Sequence, residues 1–322
     1  EYDPGIYSQT AELLALAGDV AAVNGRYISH IRSEDRYFEQ AVEEILTIGR
    51  EARLPVQISH FKLARRGLWG ESAWFLARLE RARAQGVEVT ADVYPYEAWQ
   101  SGLTVLFPGR DFTDRGAAEY ALAEVAAPED LLLTQFDPQP EWAGKTLAEI
   151  ARGRGSDPAQ TLMDLVALLL ESDGDDSVIG RSMREEDIAA LLAWPHTNVG
   201  SDGSGDSGHP RGWGAFPRVL RRYVRELGVL TLEQAVHKMT ALAATHLGLP
   251  ERGVIALGAP ADLVLFDPVT VADRSTFAEP TLPATGIAAV WVNGVAVYRD
   301  GAATGARPGR VLRRPAAGNS AP

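Results

Sequence analysis

Apolar residues along the first hundred positions switch between a helical period and short extended runs. Residues 10–23 place Leu13, Leu16, Ala17 and Val20 at helical spacing behind Thr10, the expected N-cap. An apolar run at 27–30 reads as a strand ending on His30. Phe38, Ala41, Val42, Ile45, Leu46 and Ile48 then mark one face of a helix that ends near Arg53, and Pro55 opens a second strand that closes on His60. A further helix is expected over residues 72–85, and after Gly86 the run "VEVTADVYPY" gives a third strand. Strand, helix, strand, helix, strand with crossovers of this length predicts a parallel α/β sheet.

The rhythm breaks after Tyr96. Residues 97 to about 176 contain Pro108, "APEDLLLTQFDPQPEW" and a Gly/Asp-rich run at 172–177, and read as an insertion over the strand ends, where it would wall a pocket. Inside it the leucine-rich stretch 162–170, interrupted by Asp164 and closed by Glu171, is expected to be a helix. The βα pattern is expected to resume with "VIG" near residue 179, a helix at 185–192 and a strand ending at Asp202. Beyond a helical stretch at 232–247 come short β-rich runs with turn signals at 258–260 and at Asn293-Gly294. The expected division is therefore a catalytic domain over 1–247, a small β module over 248–314 and a tail over 315–322.

His30 and His60 each stand at a strand terminus, and the strand-end run "TNVGSDGSG" carries Asp202. In a (β/α)8 barrel the C-terminal strand ends converge on one rim, so two histidines far apart in sequence can meet at one ion. Two imidazoles and a carboxylate so placed are the parts of a metal-dependent hydrolase. Three other histidines, His196, His237 and His246, are assigned structural places, and His209, beside Pro210 in a Gly-rich loop, either approaches the substrate or is solvated. "GSDGSGDSG" lacks the Gly-Lys-Ser/Thr ending of a phosphate loop, and Ser59 lacks a nucleophile elbow.

A chain of 322 residues that is 46% hydrophobic suffices for one large domain and a smaller one. The net charge of -12 argues against a nucleic-acid partner, and the basic run 307–314 reads as a solvated tail. No apolar stretch reaches the roughly twenty residues of a membrane span. Absence of cysteine excludes a disulfide framework. The chain begins "EYDPGIY" with no Met and no charged n-region, so a targeting signal is expected to be absent or removed, and the expected compartment is the cytoplasm.

"YDPGIY", "SHIRSE", "ISHFK", "ADVYPYEA", "VGSDG", "HPRGWGAFPRVL", "KMTALAATHLGL" and "RGVIALGAPADLVLFDP", in this order, resemble the D-aminoacylase (N-acyl-D-amino-acid deacylase) branch of the amidohydrolase superfamily. The resemblance runs from the first residues to about Arg314. It implies a metal-dependent (β/α)8 TIM-barrel hydrolase with a small β-sandwich. The family's first-strand paired-histidine or His-x-Asp motif and its zinc-ligating cysteine have no counterpart here, so an N-terminal portion is expected to be missing, leaving the C-terminal half of the barrel, the insertion and the sandwich segment. Such a piece, with an open sheet edge, is expected to be poorly soluble alone or to seek a partner chain.

The resemblance further implies that His30 and His60 bind zinc and that Asp202 is the catalytic carboxylate, taking a proton from water and passing it to the leaving amine. It assigns Lys62, Tyr94 and Arg211 to the α-carboxylate of a small N-acyl-D-amino acid, chemistry that suits a planar anion. Relatives that prefer acidic side chains carry an arginine shortly after the Tyr-Pro-Tyr run. Here "EAWQSGLTVLFPG" offers Trp99, Leu103, Leu106 and Phe107, with Arg110 close by, which favours a neutral or apolar side chain. Two other readings stand beside this one: a ring-opening amidohydrolase of the hydantoinase or dihydroorotase kind, which has no need of three groups around one anion, and a non-catalytic remnant.

Overall fold

The computed structural model describes residues 1–204, 208–249 and 251–313; part of the Gly-rich loop after Asp202, Pro250, Arg314 and the expected tail at 315–322 lie outside the described residues. The first third follows the expected alternation: α1 (Thr10–Ala22), β1 (Tyr27–Ser29), α2 (Phe38–Ala52), β2 (Val56–Ile58), α3 (Ser72–Ala84) and β3 (Val89–Val93). Helix α2 buries the stripe read from its sequence, Phe38 through Ile48, and stops where Arg53 turns left-handed at φ 55. Phe38 stacks on Phe61 at 5.8 Å and meets Phe75 edge-on at 4.8 Å, which ties α2 to α3 and to the segment after β2.

Two details of α1 depart from expectation. Thr10 is not the N-cap: Gln9 holds that position without a side-chain bond, and the Thr10 hydroxyl donates to Glu44 of α2 at 2.7 Å. Leu13 packs on the core and Ala17 is buried within it, whereas Leu16 and Val20 are exposed. Only half of the predicted stripe is covered.

The chain leaves the parallel sheet at Tyr94. It forms β4 (Ala98–Ser101), α4 (Arg115–Tyr120), β5 (Leu131–Phe136), α5 (Leu147–Arg154), α6 (Pro158–Ser172) and β6 (Asp176–Arg181). The leucine-rich stretch is indeed helical, capped by Asp157 with Pro158 at its first position. The "VIG" run does not resume the βα pattern: β6 pairs antiparallel with both β4 and β5 in a separate three-stranded sheet. The physical reason is a lack of alternation. Val178, Ile179 and Gly180 are buried in succession in the middle strand of that sheet, and a run with both faces covered suits a central strand of either sheet, so it carries no information about its partner.

After α7 (Glu185–Ala193), β7 (Thr197–Val199) returns beside β3, completing a parallel sheet in the order β1-β2-β3-β7. Ser29 aligns with Ile58, Ile58 with Ala91, and Val93 with Val199, so all four strands end on one rim. β7 stops at Val199, three residues short of the expected end, and Asp202 lies in the loop beyond it. Helix α8 (Arg211–Arg218) follows; the expected 232–247 helix is two, α9 (Leu232–Met239) and α10 (Ala241–Leu247), broken where Thr240 departs from helical geometry.

The C-terminal strands β8 (Leu263–Phe266), β9 (Ile287–Val292), β10 (Val295–Arg299) and β11 (Ala302–Ala303) form one antiparallel sheet. Asn293 and Gly294, both at positive φ, make the tight β9–β10 turn their sequence announces. No helix among the described residues is long and apolar enough to cross a membrane.

Candidate metal and catalytic site

The four strand ends and the loops beyond them deliver side chains to one cavity, lined by His30, Glu34, His60, Lys62, Tyr94, Asp202 and Arg211, with Trp99, Val105, Leu106 and Val125 from the segment after Tyr96. His30 directly follows β1, and His60 lies two residues past β2 with a left-handed backbone, φ 38. Asp202 is likewise left-handed, φ 47. Non-glycine residues rarely rest there, and such conformations persist where neighbours over-determine them. For His60 the neighbour is Asp92, whose Oδ1 accepts the His60 backbone N–H at 2.7 Å while its Oδ2 accepts from Gln57 at 2.7 Å. Gln57 in turn links Thr90 and Asn198, so a buried polar seam crosses β2, β3 and β7 beneath the site.

The two histidines meet: His30 Nδ1 faces His60 Nε2 at 2.7 Å. Each ring has a carboxylate at its other nitrogen. Glu1 lies 2.6 Å from His30 Nε2, and Glu34 lies 3.0 Å from His60 Nδ1. Glu34 is turned inward by Ser33, whose hydroxyl accepts the backbone N–H groups of Asp35 and Tyr37, and by the bidentate Arg32–Glu44 pair that pins the loop to α2. Burial pushes the Glu34 carboxyl up, but Lys62, His30 and His60 together hold it well below the usual carboxylate range. Donor atoms of His30, Glu34 and His60 lie within 4.8 Å of one another. Imidazoles backed by carboxylates form a donor set that suits a zinc ion. Glu1, Glu34 and Asp92 escaped the sequence reading, because a carboxylate in a loop or inside a strand has no spacing signature.

Lys62, Tyr94 and Arg211 form a single constellation. Lys62 Nζ lies 5.6 Å, and the Arg211 guanidinium carbon 4.7 Å, from the Tyr94 ring centroid. Both cations are buried and both are paired, Lys62 with Glu34 at 2.5 Å and Arg211 with Asp202 at 2.7 Å. Among the described residues the buried Tyr94 hydroxyl makes no well-formed hydrogen bond, and burial raises its pKa against the opposing charge of Arg211, so it stays a protonated donor. Arg110 does not enter the cavity: it bonds Asp3 and the carbonyls of Glu1, Thr104 and Phe107. Of the four apolar residues read from the insertion, Trp99 and Leu106 line the cavity, while Leu103 and Phe107 are core.

His209 is not solvated. It is fully buried, donating from Nε2 to the Ala98 carbonyl at 2.9 Å and accepting the Arg211 backbone N–H on Nδ1 at 3.0 Å. The rings of Tyr94, Tyr96 and Phe277 surround it. Glycine and proline neighbours suggested an exposed loop, but they serve close packing instead. A Cβ on Gly203 would lie 2.2 Å from the Gly212 Cα, so the backbones that follow Asp202 and Arg211 touch directly. Gly203→Ala is expected to part the two residues and to lower turnover about 100-fold, with unfolding free energy reduced by only about 1–3 kcal/mol; steady-state rates beside urea melts would show it.

Residues 142–298 match the Amidohydrolase family. An N-acyl-D-glutamate deacylase of Alcaligenes xylosoxydans xylosoxydans is 42% identical over all of this chain and 61% of its own length. A D-aminoacylase structure described for the functional role of its binuclear metal center is 40% identical, with a TM-score of 0.85 over 97% of this chain and 61% of that one. An N-acyl-D-glutamate deacylase from Bordetella bronchiseptica, complexed with zinc and a phosphonate mimic of the reaction tetrahedral intermediate, is 42% identical, TM-score 0.83, with the same coverage. The fold is thus an α/β amidohydrolase fold. The chain belongs to the D-aminoacylase/N-acyl-D-amino-acid deacylase family of the amidohydrolase superfamily. It spans about 61% of the length of the relatives it matches.

Proposed function

We propose that this chain carries the substrate-binding and part of the zinc-binding machinery of an N-acyl-D-amino-acid deacylase, hydrolysing the amide to a carboxylate and a free D-amino acid. The observation that carries the reading is the convergence of His30, His60, Lys62, Tyr94, Asp202 and Arg211 on one cavity from four strand ends and the loops beyond them. The four parallel strands are read as part of a (β/α)8 barrel, with residues 1–247 as the catalytic domain and the C-terminal sheet as one layer of a sandwich.

His30 and His60 would hold zinc. The ion, when bound, brings the pKa of water toward neutrality and polarises the scissile carbonyl. Asp202 accepts a proton on its carboxylate and returns it to the leaving nitrogen. Tyr94 donates its hydroxyl to the substrate α-carboxylate, while Arg211 and Lys62 supply charge from either side of its ring. The partly apolar wall of Trp99, Val105, Leu106 and Val125, with Arg110 committed elsewhere, favours an uncharged D side chain.

The test is amine release from matched N-acetyl-D- and N-acetyl-L-amino acids with zinc supplied, using this chain and a version extended to the length of its relatives. Activity confined to the D series supports the reading; equal rates on both series, or none from either protein, reject it. Within the active protein, Lys62→Met is expected to raise KM for substrates with a free α-carboxylate about tenfold or more while kcat changes little. An unchanged KM would remove Lys62 from the anion site.

A further inference from the structure

Glu34 has no part in the reaction as set out above, yet its Oε1 is the atom on which the cavity's charges meet. It lies 2.5 Å from Lys62 Nζ, 3.0 Å from His60 Nδ1 and 3.9 Å from His30 Nδ1. Lys62 Nζ itself lies 2.8 Å from His60 Nδ1. Two groups of opposite demand therefore compete for one ring nitrogen.

A neutral imidazole carries a single N–H, and the hydrogen bond made by one nitrogen decides where it sits. An ammonium has only donors. Facing Nδ1, it takes the lone pair there and drives the ring proton to Nε2. A carboxylate has only acceptors, so it keeps the proton on Nδ1 and leaves the Nε2 lone pair free. Nε2 is the nitrogen turned toward His30. Lys62 thus opposes the ligating tautomer of His60, and Glu34 enforces it.

We propose that Glu34 is a positioning residue that acts against Lys62: it holds the His60 proton on Nδ1 and takes up the lysine's own proton donor, so that His60 Nε2 can bind a metal ion. The proposal rests on the metal-centre reading of His30 and His60. Two features favour this over direct ligation by Glu34. The contact is to the ring nitrogen opposite the one that faces His30, and the lone pairs of an imidazole diverge widely across the ring. The lysine also stands closer to Glu34, at 2.5 Å, than to His60, at 2.8 Å, so its charge is directed to the carboxylate first. Carboxylates in this place behind a ligating histidine commonly set metal affinity by one to two orders of magnitude.

The experiment is equilibrium dialysis of zinc against the protein extended to the length of its relatives, unsubstituted and as Glu34→Ala, Glu34→Gln, Lys62→Met and the double variant Glu34→Ala/Lys62→Met, with His60→Ala as the reference for a lost ligand, cobalt(II) spectra of each and circular dichroism as the control for folding. Glu34→Ala is expected to weaken zinc binding about 10- to 100-fold. Lys62→Met should stay within a few-fold of the unsubstituted protein. The double variant should recover most of the loss, because the competing ammonium has gone with the carboxylate. A purely structural role for Glu34 would not be rescued by removing the lysine. Glu34→Gln should keep the positions of the cobalt bands. Unchanged zinc affinity in Glu34→Ala, no recovery in the double variant, or cobalt bands displaced in Glu34→Gln as in His60→Ala would each overturn the proposal while leaving the metal centre intact. Failure of the unsubstituted extended protein to take up zinc would reject the metal-centre reading and this proposal together.

Discussion

Asp202→Asn is expected to keep zinc and to lose turnover by a factor of about 1,000 to 10,000, the scale of a well-placed acid–base group. Asparagine has the shape of aspartate and tolerates the left-handed backbone found at this position, so the loop should keep its course. It cannot accept a proton. It also releases Arg211, whose guanidinium now lies 2.7 Å from the Asp202 carboxylate. The freed arginine can turn its full charge on the substrate anion, so KM should hold or fall while kcat collapses. Metal analysis beside steady-state kinetics separates these effects. An Asn variant with near-normal kcat would end the assignment of Asp202 as the proton carrier.

The second large effect concerns His209. His209→Ala empties a cage of three aromatic rings and strips partners from the Ala98 carbonyl and the Arg211 N–H, a loss of about 3–5 kcal/mol in unfolding free energy near neutral pH. Burial, with Arg211's charge added, lowers the His209 pKa from 6.5 to about 3. The depressed value means that the folded protein holds the neutral ring, so this stability is complete above pH 6.5 and is lost as pH falls toward about 3. Between pH 7 and about 4.5 the wild type should lose about 2–3 kcal/mol through this group alone. The gap between wild type and His209→Ala should therefore narrow by that amount in urea titrations at the two pH values. A gap that stays constant would show that His209 does not carry the proton linkage.

The sequence by itself determined the local elements whose burial pattern has a period. The α2 stripe, the helical leucine-rich stretch of α6, the Asn293-Gly294 turn and the repeated strand that leads to a histidine were legible because each is fixed by near neighbours. The same repetition placed His30 and His60 on one rim, since parallel strands joined by right-handed crossovers must end on the same side. The strand-end run singled out Asp202, while the family resemblance carried Lys62, Tyr94 and Arg211, which periodicity alone could not single out.

Tertiary structure decided what depends on partners distant in sequence. The sheet joined by "VIG", the burial of His209 against Ala98, the inward turn of Glu34 and the clasp of Asp92 on His60 are all long-range choices between conformations that the local chain permits equally. Apolar triplets and lone carboxylates carry no address. An address exists only once the sheet has brought β2, β3 and β7 side by side and the insertion has closed over their ends, because the energy that selects it comes from hydrogen bonds and charges satisfied across those distances.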